Sequence, residues 1–89
     1  MRRDRPQALA LFNPACDWVQ SHAGYAAVAG DLLLRAYRYR GVWVGEIRQA
    51  GREDVVQAGG SRNWDESDAR RFCERQAQRI LRQRKEAER

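Results

Sequence analysis

Two eight-residue runs, Leu32 to Tyr39 and Val42 to Gln49, are joined by Arg40-Gly41 and nothing else. Both runs are rich in leucine, branched and aromatic residues. A two-residue connection ending in glycine suits the primed hairpin turns, whose twist matches that of paired strands. The runs are therefore expected to pair as an antiparallel hairpin with residue 39 opposite 42, 38 opposite 43, and so on to 34 opposite 47. One face then collects Leu32, Leu34, Ala36, Trp43, Gly45 and Ile47 and reads as core. The other collects Tyr37, Tyr39, Val42 and Val44, with Arg35 facing Glu46 as a cross-strand ion pair.

The flanking sequence extends this unit on both sides. A turn over Ala50 to Glu53 leads to a short third strand, Asp54 to Ala58, with Val56 opposite Ile47 and Ala58 opposite Gly45. Gly59 to Asn63 reads as a loop. A long helix then starts near Trp64 or Asp65, capped by Asn63 with Glu66 or by Asp65 with Asp68. Ala69, Phe72, Cys73, Ala77, Ile80 and Leu81 share one face of it. Upstream, Asn13-Pro14 suits a helix start, and Ala15, Trp18, Val19, His22 and Ala23 recur at helical spacing up to Gly24. Tyr25 to Ala29 is ambiguous. The expected fold is α+β: a short N-terminal helix, a three-stranded antiparallel β-meander, and a long C-terminal helix packed on one sheet face. Residues 1–12 are expected as an arm or edge strand, 13–82 as the single domain, and 83–89 as a charged tail.

Composition narrows the function. Apolar runs in these 89 residues fall well short of the roughly 20 needed to span a bilayer. The stretch Ala8 to Phe12 is too short for a signal-peptide core, so a cytoplasmic protein is expected. The net charge of +5 is spread along the chain, at +1, +2 and +2 over residues 1–30, 31–64 and 65–89. A dedicated nucleic-acid binder usually concentrates such charge on one face. Catalytic constellations are missing from the pattern. His22 and Cys16 lie six residues apart, on different sides of any one helix. One histidine and two distant cysteines, Cys16 and Cys73, do not supply a structural metal set. Both cysteines read as small buried hydrophobes. The paired acids Glu53-Asp54 and Asp65-Glu66 stand at a turn and a helix start, where acids serve structure. Neither an enzyme nor a cofactor is expected.

Partner binding is what remains. Arg35, Tyr37, Arg38, Tyr39, Arg40 and Val42 gather guanidinium groups and rings on the outer hairpin surface and its tip. Such residue types favour interface hot spots and also stack on bases or pair with phosphate. Arg75, Arg79 and Arg82 share a polar helix face and form a second candidate contact. A three-stranded sheet backed by one helix resembles the arm-type DNA-binding domains of phage integrases and related AP2-like domains. That likeness covers about residues 32–82, through Tyr39-Arg40-Gly41-Val42-Trp43 and the helix start Asp65 to Phe72. It implies a sheet that enters the major groove, although Glu46, Glu53 and Asp54 would then stand near phosphates. In size and arginine-rich style the chain also resembles accessory proteins of phages and mobile elements, among them anti-CRISPR proteins that dock on host nucleoprotein complexes. The expected function is a small non-catalytic binding protein that docks on a host protein or nucleoprotein complex to inhibit or regulate it. DNA binding through the sheet face and hairpin is the alternative, and a homodimer would use the same aromatic strip.

Overall fold

The computed structural model describes residues 17–52 and 54–87. The hairpin forms in the register its turn dictates: β3 (Leu32–Tyr39) pairs with β4 (Val42–Gln49), from Tyr39 opposite Val42 to Leu32 opposite Gln49. Arg40 and Gly41 both take positive φ, 53° and 80°, as a type I′ turn requires.

The sheet is wider than three strands. Its order is β1 (Val19–Ser21), β2 (Gly24–Ala29), β3, β4 and β5 (Val55–Ser61), all antiparallel, followed by the helix α1 (Glu66–Ala87). The expected N-terminal helix is not found over the described part of its span. Val19 to Ser21 is a strand, and Gly24 opens β2 instead of ending a helix. The helical spacing of Trp18, Val19 and His22 is coincidental, because the three side chains go different ways. Trp18 packs against the core and its indole N–H donates to Glu74 on α1 at 2.7 Å, whereas Val19 and His22 are exposed. Tyr25 to Ala29 reads poorly as strand because it is mostly alanine. Its pairing with the leucine-rich β3 decides the outcome, with Ala27 opposite Leu34 and Ala29 opposite Leu32. Gly24 (φ 131°) is required at the hairpin tip, since a Cβ there would lie 2.3 Å from the Ala36 carbonyl oxygen. The arm expected over 1–12, the Asn13-Pro14 start and Cys16 lie outside the described residues.

The third expected strand is also corrected. It runs through Gly59-Gly60-Ser61, where a loop is expected from composition, and its register is one residue away from the expected one. Gln57, not Val56, faces Ile47, and Gly59, not Ala58, faces Gly45, with an irregularity between Ile47 and Arg48. A one-residue slip turns every side chain to the opposite face, so Val56 is exposed instead of core. Phe72 supplies the physical reason. Its ring lies on Gly45 and Gly59, where an added Cβ would come within 2.7 and 2.9 Å of it, so β5 settles with Gly59 beside Gly45 under that ring.

α1 lies on one face of the sheet. Leu32, Leu34 and Ile47 from the sheet and Cys73 and Ala77 from the helix are buried together with Ala27 and Ala29. Trp18, Phe72, Ile80 and Leu81 close the margins. Small residues on both sides (Gly45 and Ala27 below, Ala69, Cys73 and Ala77 above) let the helix seat close to the strands. Asp65 and Asp68 cap the helix reciprocally. The Asp68 N–H donates to Asp65 Oδ1 at 2.9 Å and the Asp65 N–H donates to Asp68 Oδ2 at 3.0 Å. The Asp68 amide beside it holds the Asp65 carboxyl below its usual range. Near the other end Arg84 pairs with Asp31 at 2.6 Å, tying α1 to the β2–β3 turn. Past Leu81 the helix continues through Ala87 as an exposed, charged extension.

Candidate functional site

Among the described residues, one helix covers one side of the sheet and leaves the other face bare. Alternation assigns Val19 of β1, Ala26 and Val28 of β2, Leu33 of β3 and Val55 of β5 to it. Val19 is 67% exposed, Val28 61% and Tyr39 57%, and Leu33 and Val55 are exposed as well. Large apolar side chains at this exposure on adjacent strands make a contiguous patch, which marks interaction surfaces more often than a scatter of single residues does. Small Ala26 sits among larger neighbours, so the patch is concave there. Val19, Val28, Leu33 and Arg35 surround an open hollow of about 470 Å³, with Asp17 at its rim.

The centre of the bare face is a polar cluster built on Glu46. The Glu46 side chain is only 6% exposed, because side chains of its own face cover it and not because it reaches the core. The Tyr37 hydroxyl donates to Oε1 at 2.7 Å, Arg48 Nε donates to Oε2, and Arg35 lies 3.9 Å from Oε2. The Arg35 guanidinium also stacks 4.8 Å from the Tyr37 ring centroid. Desolvation pushes the Glu46 carboxyl up. The hydrogen bonds from Arg48 and Tyr37 and the two arginine charges outweigh it, so the net direction is down. The Tyr37 phenol is raised, first by its hydrogen bond to Glu46 and then by burial. The expected Arg35–Glu46 pairing is present, and Arg48 joins it.

The residues singled out from sequence divide into three groups. Arg35, Tyr37, Tyr39 and Val42 share the bare face, as the hairpin register requires. Arg40 stands in the tip turn with its guanidinium 5.3 Å from the Tyr39 ring centroid, and Arg38 alternates to the other side of β3. Arg75, Arg79 and Arg82 are exposed on the outward side of α1, with the helix and the sheet between them and the bare face. The structure therefore does not join the helix arginines to the hairpin set. Sequence reasoning missed Val19, Val28 and Leu33. The alternation of Ala26 and Val28 with Tyr25, Ala27 and Ala29 was the signal, hidden by the alanines.

Other chemistry is dispersed. His22 is exposed in the β1–β2 turn, whereas Cys73 is buried under the sheet, its Sγ 3.3 Å from the Arg35 carbonyl and 3.7 Å from that of Glu46. The two cannot form a nucleophile–base pair. Among the described residues, no group of three or more His, Cys, Asp or Glu is arranged to hold a metal ion, and no helix is long and apolar enough to cross a membrane. The resemblance to integrase arm-type domains rests on three strands, and among the described residues β1 and β2 widen the sheet to five. Comparison with protein-family models, curated proteins and solved structures finds no match to this chain.

Proposed function

We propose that this chain is a non-catalytic binding protein that docks on a partner protein through the bare face of its sheet. The carrying observation is the one-sided packing: a helix covers the inner face, while Val19, Val28, Leu33 and Tyr39 stand exposed on the outer. Five strands of this length present on the order of 500 Å² of projected area. That is a large share of the roughly 800 Å² that each partner buries in a stable complex. The charge pattern sets the partner's chemistry. Arg35 and Arg48 are already engaged by Glu46, which leaves little on this face for a row of phosphates. The apolar hollow suits an apolar projection, and Arg40 at the hairpin tip, at the far end of β3, suits an acidic group farther along the partner. We extend the proposal to the setting that size and composition suggest, a phage or mobile-element accessory protein acting on a host protein or nucleoprotein complex.

The test compares capture of the partner by the wild-type chain, by Val28→Glu and by Arg75→Ser/Arg79→Ser, after nuclease treatment and a high-salt wash. Val28 is 61% exposed, so its replacement should alter stability by at most about 0.5–1 kcal/mol. A partner held by wild type and by the helix variant but lost from Val28→Glu supports the reading. A partner retained by Val28→Glu, or one removed by nuclease, overturns it.

A further inference from the structure

The β3–β4 hairpin projects past its neighbours. The last β2–β3 pair is Tyr25 with Ala36, so among the described residues none pairs with Tyr37 to Tyr39 on the β2 side. A recess of about 620 Å³ fills this notch, between the overhanging hairpin and the His22-Ala23 turn of β1–β2. Its volume falls within the range of roughly 300–1,000 Å³ usual for small-ligand sites. The walls carry two kinds of group. Tyr25 and Trp43 supply rings, with centroids 6.3 Å apart and planes tilted by 41°. Arg38, His22 and the Trp43 indole supply N–H groups, and among the described residues none of these side chains has a hydrogen-bond or ionic partner. The tyrosines differ: the Tyr25 hydroxyl donates to Glu66 at 2.8 Å, and the Tyr37 hydroxyl is committed to Glu46. Arg35 also lines the recess but is engaged by Glu46, and Arg70 lies over the Tyr25 ring, 4.3 Å from its centroid, so Arg38 is the arginine of the recess left for a ligand.

We propose that this notch binds a single unpaired nucleotide, with its base against the Tyr25 and Trp43 rings and its phosphate on Arg38 and His22. Unpartnered donors beside aromatic walls match a ligand that is anionic at one end and flat at the other. A planar guanidinium with free N–H groups fits phosphate oxygens two at a time. The recess lies at the side of the overhanging hairpin and not along the sheet, which separates this site from groove reading by the sheet. The ligand chemistry has two sources, a free nucleotide or an unpaired stretch of a strand. The notch shares Arg35 and Tyr37 with the bare face, but the groups invoked here, Arg38, His22, Tyr25 and Trp43, are not among those of the docking proposal, and the inference does not rest on it.

The experiment titrates the full-length chain with fluorescein-labelled oligothymidylate at low salt, followed by anisotropy, with adenosine and thymidine monophosphates as competitors. Wild type should bind saturably. Arg38→Gln and His22→Ser alter exposed side chains and keep the fold, which circular dichroism checks. Arg38→Gln should weaken binding about tenfold or more, the scale of a hydrogen bond to a charged group. It should also lower the dependence of log affinity on log salt by about one phosphate contact. Arg75→Gln on the outward side of α1 should change neither. Displacement by monophosphates at comparable concentration identifies the free nucleotide as ligand, and resistance to them identifies the strand. Absence of binding by wild type, equal loss in Arg75→Gln, or indifference to Arg38→Gln overturns the proposal.

Discussion

Replacing Gly45 with alanine tests how the helix is seated on the sheet. A Cβ at this position would stand 2.7 Å from Phe72 Cδ2, 2.9 Å from the Ala69 carbonyl oxygen and 3.0 Å from Cys73 Sγ. Comfortable contacts between such atoms lie near 3.5–4.0 Å. The ring edge could swing aside, but the Ala69 carbonyl belongs to the helix backbone, so α1 has to lift by about 0.5–1 Å. A gap of that size forfeits about a quarter to a half of the dispersion energy of each contact it opens. Gly45 does not have a positive φ, so alanine brings no backbone strain and even gains a few tenths of a kcal/mol from the unfolded chain. The net cost should be that of overpacking, about 1–3 kcal/mol. In a domain of this size each kcal/mol moves Tm by roughly 4–8 °C. Thermal and urea melts followed by circular dichroism read this directly. Gly59→Ala is the graded comparison. Its Cβ meets only the far end of the Phe72 ring, at 2.9 and 3.0 Å, and should cost less. A Gly45→Ala chain as stable as wild type would show that α1 does not sit at this depth on β4.

Further outcomes follow from individual contacts. Because the Glu46 carboxyl is held down in the folded state, it stabilises the fold above its ordinary value of 4.5, and that stability is lost as pH falls through the depressed value. Glu46→Gln should therefore be less stable than wild type at pH 7 by about 1–3 kcal/mol, with the gap narrowing as pH falls through the depressed value; urea midpoints at falling pH give the answer, and a constant gap contradicts the cluster. The β5 register predicts opposite fates for two branched residues: Ile47→Ala should cost about 2–5 kcal/mol and Val56→Ala under about 1, and equal costs would restore the register with Val56 in the core. Trp18→Phe keeps the apolar contact and removes the hydrogen bond to Glu74, so it should cost about 1 kcal/mol in the same melts.

The hairpin was fully legible because its turn left a single register open, and the faces of Leu34, Tyr37 and Ile47 follow from it. The C-terminal helix was legible through its apolar stripe and through the Asp65–Asp68 cap, one of two capping pairs the sequence offered. The N-terminal strands were not. β2 is Gly-Tyr-Ala-Ala-Val-Ala, whose alanines carry little strand preference and blur the alternation. Two of those alanines, Ala27 and Ala29, are needed under a closely seated helix, so part of what hid the strand is what the packing demands. β5 misled in a related way. Gly59-Gly60 has the composition of a loop, yet Gly59 is strand because Phe72 occupies the space where its side chain would be. Half of the candidate site followed from the hairpin. The apolar hollow around Ala26 did not, since it exists only once β1 and β2 join the sheet.

Site-specific photo-crosslinking tests the docking proposal most directly. Benzoylphenylalanine introduced in place of Val28 puts the probe on the bare face, and the same group in place of Arg79 puts it on the outward side of α1. Both positions are exposed, so both chains should fold. Docking through the sheet predicts a protein adduct of one defined mass from the Val28 position, insensitive to nuclease, and none from the Arg79 position. An adduct from Arg79 alone would put the interface on the helix and contradict the proposal.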